Sequence, residues 1–197
     1  MKEIRKFWIL GLVFTLVLSS CGDDDLPPEE NEEEVIDRVT LTFTPDDGGT
    51  TVVATATDPD GEGVENFETQ TINLAINTSY DLAISIENTQ EGENITEEIE
   101  AEAEEHMFFF SFTDGIFSDP SGNGNIADRE GTVNYDDYDT NDNPVGLSTT
   151  WFTAGASPGD GEFRILLKHQ PDVKSATSTS NDGETDIDIT WTINISE

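Results

Sequence analysis

Period-two alternation of apolar and polar residues constrains this chain more than any other feature. Tyr80, Leu82, Ile84 and Ile86 alternate with Asp81, Ala83, Ser85 and Glu87, and Ile187, Ile189, Trp191, Ile193 and Ile195 follow the same rule. A strand puts residues i, i+2 and i+4 on one face, whereas a helix scatters them around its circumference. Val39, Leu41 and Phe43 repeat the pattern, then the turn Asp46-Asp47-Gly48-Gly49 leads into a second strand from Val52 to Thr57. A third strand is expected over 67–75. Residues 106–112 are apolar on both faces, which predicts a central strand. Further strands are expected over 133–139, 146–153 and 162–169, with a long glycine-rich loop at 114–132. This pattern predicts an all-β, mainly antiparallel fold, a single β-sandwich-like domain over residues 35–197.

One segment departs from the period. Asn94 with Glu97 three residues on matches a capping box, Ile95 and Ile99 lie four apart, and Ala101 and Ala103 favour helix. One short helix up to Glu105 is expected. Glutamates crowd its C-terminal end, where the helix dipole disfavours negative charge.

The first twenty residues read as a targeting segment. Lys2, Arg5 and Lys6 precede an apolar run from Phe7 to Leu18. Twelve helical residues rise only about 18 Å, short of a hydrocarbon core of about 30 Å, so the run is a secretory signal peptide rather than a membrane span. Leu18-Ser19-Ser20-Cys21 matches a bacterial lipobox, which makes Cys21 the site of lipidation and the first mature residue. Two or more acyl chains such as palmitate anchor a protein stably to a bilayer. Cys21 is the single cysteine, so no disulfide forms within the chain. Residues 21–34 are an acidic tether with little apolar surface to bury. Removing residues 1–20 takes away Lys2, Arg5, Lys6 and Glu3 and shifts the formal charge from −35 to −37. Such a surface repels nucleic acid and attracts divalent cations.

Two constellations suggest metal chemistry. Residues 119–130 resemble an EF-hand loop: Asp119, Ser121 and Asn123 fall at alternating oxygen positions, Gly124 at the sharp turn and Glu130 at the bidentate place, with Ile126 inside the loop. A second calcium candidate, Asp137, Asp139 and Asn141, lacks the glycine and the terminal glutamate. Asp58, Asp60 and Gly61 offer a weaker match. The other constellation is the pair His106 and His169, the two histidines of the chain, each at an end of a predicted core strand. Suitable strand pairing would bring both imidazoles together with Glu102 or Glu105, a set suited to zinc or copper. Trp151, Tyr135 and Tyr138 would serve sugar binding if exposed, whereas core packing is the ordinary role of Trp151 and Trp191. No cysteine nucleophile, G-x-S-x-G turn, H-E-x-x-H pair or phosphate-binding glycine loop is present, so the expectation is a non-enzyme. A glycoside hydrolase using two carboxylates is the enzymatic alternative.

Four segments carry a family likeness: His106-Met-Phe-Phe-Phe110, Asn143-Pro-Val-Gly-Leu147, Leu167-Lys-His-Gln-Pro-Asp-Val-Lys174 and Gly183-Glu-Thr-Asp-Ile187. They resemble a series found in flavobacterial (Bacteroidota) lipoproteins, some labelled type 1 periplasmic binding fold superfamily protein. That label implies a two-lobed α/β receptor, while the alternation in this chain implies strands. The tether is similar to the acidic export signal of Bacteroidota surface lipoproteins. The resemblance implies an outer-membrane lipoprotein at the cell surface, or otherwise facing the periplasm, accessory to a TonB-dependent transporter in ligand or metal capture. The alternative role is a calcium-stabilised structural or adhesive surface module.

Overall fold

A computed structural model describes residues 35–58 and 66–197; the predicted leader, Cys21, the tether 21–34 and most of the turn at 58–63 lie outside them. Ten strands and one helix follow in order: β1 (Arg38–Pro45), β2 (Val52–Thr57), β3 (Glu68–Thr69), β4 (Ile72–Ala75), β5 (Ser79–Glu87), α1 (Ile95–Ala101), β6 (His106–Phe112), β7 (Phe117–Asp119), β8 (Ser148–Thr153), β9 (Gly161–His169) and β10 (Glu184–Ser196). They form a sandwich of two sheets, ordered β3-β2-β1-β5-β8-β7 and β4-β10-β9-β6. The all-β, mainly antiparallel class predicted from the alternation is the fold observed. β4 and β10 pair in parallel, with Ile72 beside Ile193; the other strand pairs among the described residues are antiparallel.

The core forms where the alternating faces meet. Leu41, Phe43, Leu82 and Ile86 from the six-stranded sheet and Phe108, Phe110, Phe163, Ile165, Ile189 and Trp191 from the four-stranded sheet are fully or almost fully buried in one cluster. Each such side chain contributes about 1.5–3 kcal/mol of transfer free energy. Trp151 is the hub of an aromatic group, with Phe110, Phe112, Phe117 and Phe163 at centroid distances of 5.5, 5.3, 4.7 and 5.2 Å. Trp151 and Trp191 are therefore core residues.

Five expectations are corrected. The strand expected over 67–75 is two strands, β3 in one sheet and β4 in the other, because the chain crosses between sheets at Gln70 and Thr71. The helix stops at Ala101, and Asn94 makes no side-chain cap to a backbone amide; its Nδ2 donates instead to Glu97 Oε1 at 2.8 Å. Residues 133–139 make isolated bridges, Tyr135 with Thr149 and Tyr138 with Pro144, and no strand. The long loop at 114–132 also contains the short strand β7.

The fifth correction concerns β6, which is an edge strand although nearly all its residues are buried. Its outer edge is closed by loops. Phe108 N donates to Val145 O at 2.7 Å, Phe110 N to Asn125 Oδ1 at 2.9 Å and Phe112 N to Asn123 O at 3.3 Å. Asn125 N and Ile126 N return bonds to Phe110 O at 2.8 and 3.2 Å. Asn125 Nδ2 also donates to the Tyr135 hydroxyl, which donates to Phe108 O at 2.7 Å. A side chain at Gly124, whose φ is +80°, would overlap the Phe110 carbonyl, so the close approach requires glycine there. Covering an exposed edge in this way removes a template for unwanted strand pairing.

Candidate metal centre

The pairing of β6 with β9 sets His106 directly opposite His169. Both share the core-directed face of Phe108 and Leu167, at the end of the sheet where the apolar core gives way to loops. The residues before His106 turn back from α1, which brings Glu102 and Glu105 to the same end. The imidazoles stack, with centroids 4.6 Å apart and planes 17° from parallel. His106 is 2% exposed and His169 5%, so the pair is sealed from solvent on the protein side.

Hydrogen bonds orient the rings. His106 Nδ1 lies 3.3 Å from the Glu102 carbonyl oxygen. A carbonyl only accepts, so that nitrogen carries the proton and Nε2 keeps its lone pair. A backbone carbonyl in this place is a common orienting partner for a metal-binding histidine. His169 Nε2 lies 3.1 Å from Glu105 Oε2, and His106 Nε2 lies 3.9 Å from Asp186 Oδ2.

One ring nitrogen from each histidine and one carboxylate oxygen of Glu102 all fall within 4.8 Å of one another. Zinc bonded at about 2.0–2.1 Å in a tetrahedron separates its ligand atoms by about 3.3 Å. The His169–Glu105 spacing already matches that figure. The triad is more widely spaced than a bound ion requires, and Glu102, its exposed member, lies at the solvent side of the two buried rings. Two imidazoles and one or more carboxylates suit borderline divalent ions such as zinc(II) or copper(II). This Glu/His/His group, with both histidines buried and the glutamate exposed, could thus hold a metal ion.

Burial, followed by the neighbouring His169 charge, pushes the His106 pKa down to about 4. The neutral form required for ligation therefore prevails near pH 7. Between about pH 6.5 and 4 the unfolded chain binds a proton that the folded chain refuses, so stability falls as pH is lowered through that window. The penalty from His106 is zero above the unfolded value and reaches about 3 kcal/mol below pH 4. In metal-free protein, urea unfolding at pH 4 and 7 checks this against His106→Phe, which should lose less stability over that range than the wild type.

The calcium candidates are placed differently. The 119–130 loop runs from the end of β7 along the β6 edge, with no helix on either side. Asp119 Oδ1 accepts from Asn134 Nδ2 at 3.1 Å, Ser121 O from Thr132 Oγ1 at 3.0 Å, and Asn123 O from the Phe112 amide. Ile126 packs against Met107, Phe109 and Leu166, and its carbonyl accepts from Ser180 Oγ at 2.7 Å. Glu130 is exposed, and its amide donates to Asp128 Oδ1 at 3.1 Å. In the second candidate, Asp137 accepts the amides of Gly146 and Leu147, both at 2.9 Å. Asp139 accepts the amides of Asn141 and Asn143 at 2.8 and 2.9 Å, and its other oxygen pairs with Lys174 Nζ at 3.1 Å. These carboxylates hold a loop together. Tyr138 is 56% exposed, while Tyr135 is tied to the β6 edge.

Sequence reasoning missed Asp186 and Lys174. Asp186 sits at a register shift in β10, between Thr185 and Ile187, and alternation alone does not reveal such a bulge. Lys174 follows a polar turn and gave no periodic signal. Comparison with protein-family models, with curated proteins and with solved structures finds no match to this chain.

Proposed function

We propose that this chain is a non-enzymatic, lipid-anchored envelope protein whose sandwich domain captures a transition-metal ion at Glu102, His106 and His169, beside an outer-membrane transporter. The observation that carries the reading is the register of β6 and β9, which seats the two histidines of the chain face to face. Such a pairing buries two costly polar rings at one point with carboxylates at hand, an arrangement suited to an ion. The lipobox at Cys21 and the acidic tether supply the address: acylation at the bilayer and display on the cell surface. No helix among the described residues is long and apolar enough to cross a membrane.

Titration of the full chain in detergent with zinc(II) and copper(II) tests the site. One ion should bind per chain, and His106→Ala/His169→Ala should bind none at that affinity. Equal binding by wild type and the double variant would remove the site from consideration. The calcium reading keeps one favourable observation, the left-handed backbone of Gly124 at the sharp turn of its loop. A calcium-dependent rise in melting temperature, lost in Glu130→Ala, would support that structural role. Mass spectrometry of the protein from its native cells should find Cys21 acylated and residues 1–20 removed.

A further inference from the structure

Near the histidine pair lies a buried ion pair that the ion site does not itself use. Lys174 and Asp139 pair at 3.1 Å with side chains 1% and 0% exposed. A buried ion pair is a poor source of stability compared with apolar side chains of the same volume, but it fixes geometry strictly. What Lys174 fixes is specific. Its Nζ donates to Ala103 O at 2.6 Å, within the turn that carries Glu102 and Glu105. Its own amide donates to Gln170 O at 3.0 Å, and Gln170 follows His169 directly. Gln170 N in turn donates to Glu105 O at 2.6 Å, and Thr140 Oγ1 donates to Glu104 Oε1 at 2.6 Å.

Resting on the metal-capture reading, we propose that the Lys174–Asp139 pair is a positioning clamp that sets the affinity of the ion site. The clamp holds the Glu102–Glu105 turn at a set distance from both imidazoles. The need for it follows from charge. The helix is seven residues long and carries no basic residue in its last turn, while Glu98, Glu100, Glu102, Glu104 and Glu105 crowd together at that end. Their mutual repulsion drives the turn outward, away from the rings. The Lys174 ammonium sits beneath that turn, and its charge also reaches Asp137, Asp139, Glu104 and His106. Asp139 keeps the ammonium in place by binding it with one oxygen and the Asn141 and Asn143 amides with the other.

Zinc affinity of the full chain in detergent, measured by competition with a chromogenic chelator, tests the clamp. Lys174→Met should bind one zinc with a Kd about tenfold or more weaker, the range expected when a partner that orients metal ligands is lost. Thr140→Val, at an exposed position, is the milder variant and should weaken Kd about threefold at an unchanged melting temperature. Leu82→Ala in the other sheet lowers stability and should leave Kd unmoved. An unchanged Kd in Lys174→Met, or an equal weakening in Leu82→Ala, overturns the clamp and leaves metal capture intact. Absence of zinc binding in the wild type overturns both.

Discussion

Trp151→Ala should lower the free energy of unfolding by about 3–5 kcal/mol, the largest single-residue loss in the core. Trp151 is fully buried on β8 and touches four phenylalanines contributed by β6, β7 and β9. Three of those strands meet their neighbours only through long-range pairing, so the tryptophan ties one sheet to the other. Truncation leaves a cavity that the surrounding rings, already in edge-on contact, fill poorly. The melting temperature should fall by about 10 °C. Trp151→Phe keeps much of the ring contact but strands Thr149 Oγ1, which accepts from Trp151 Nε1 at 2.7 Å, and should cost about half as much. Urea denaturation with both variants decides the matter; a loss under about 1 kcal/mol for Trp151→Ala would show that the cluster does not join the sheets.

Asp139→Ala should be nearly as damaging, about 3–5 kcal/mol, for a different reason. Removing one member of a buried ion pair leaves the other as an uncompensated charge. Burial already holds the Lys174 ammonium below its ordinary pKa against the pull of Asp139. Burial pushes the Asp139 carboxyl upward, but the Asn143 amide and Lys174 outweigh it and hold it below its usual value. The variant also frees the amides of Asn141 and Asn143. Asp139→Ala/Lys174→Met should recover part of the loss, because the stranded charge is gone, but not all, because those amides still lack an acceptor. A double variant no more stable than Asp139→Ala would show that the damage comes from the loop amides alone.

The fold class was legible because alternation is a local signal. Leu82, Ile84 and Ile86 reveal their own strand without reference to anything distant, as do Ile189 and Ile193. What failed is what depends on partners. Phe108, Phe109 and Phe110 predict burial on both sides, and they are buried, but the cover on the open edge is a loop carrying Asn125 and not another strand. The switch at Gln70 and Thr71 reads as one strand because no glycine or proline interrupts residues 67–75, while the hydrogen-bonding partner changes from β2 to β10. At the candidate site, the histidines were visible as strand ends, and the carboxylates near them were visible too. Their convergence depended on register, which no single strand encodes. Asp137 and Asp139 accept backbone amides at a tight turn, and carboxylates in that role have the same spacing as those that accept a metal ion, so spacing alone does not separate the two.

The parallel contact of β4 with β10 has a consequence for how the molecule comes into being. Residue 72 must wait for residue 193 before its sheet can close, and β10 lies between β4 and β9. A chain that emerges from its amino end, through a ribosome or a narrow membrane pore, therefore stays open-sided until the β10 segment has passed. Closure of the four-stranded sheet is thus tied to the arrival of β10, which joins β4 on one side and β9 on the other.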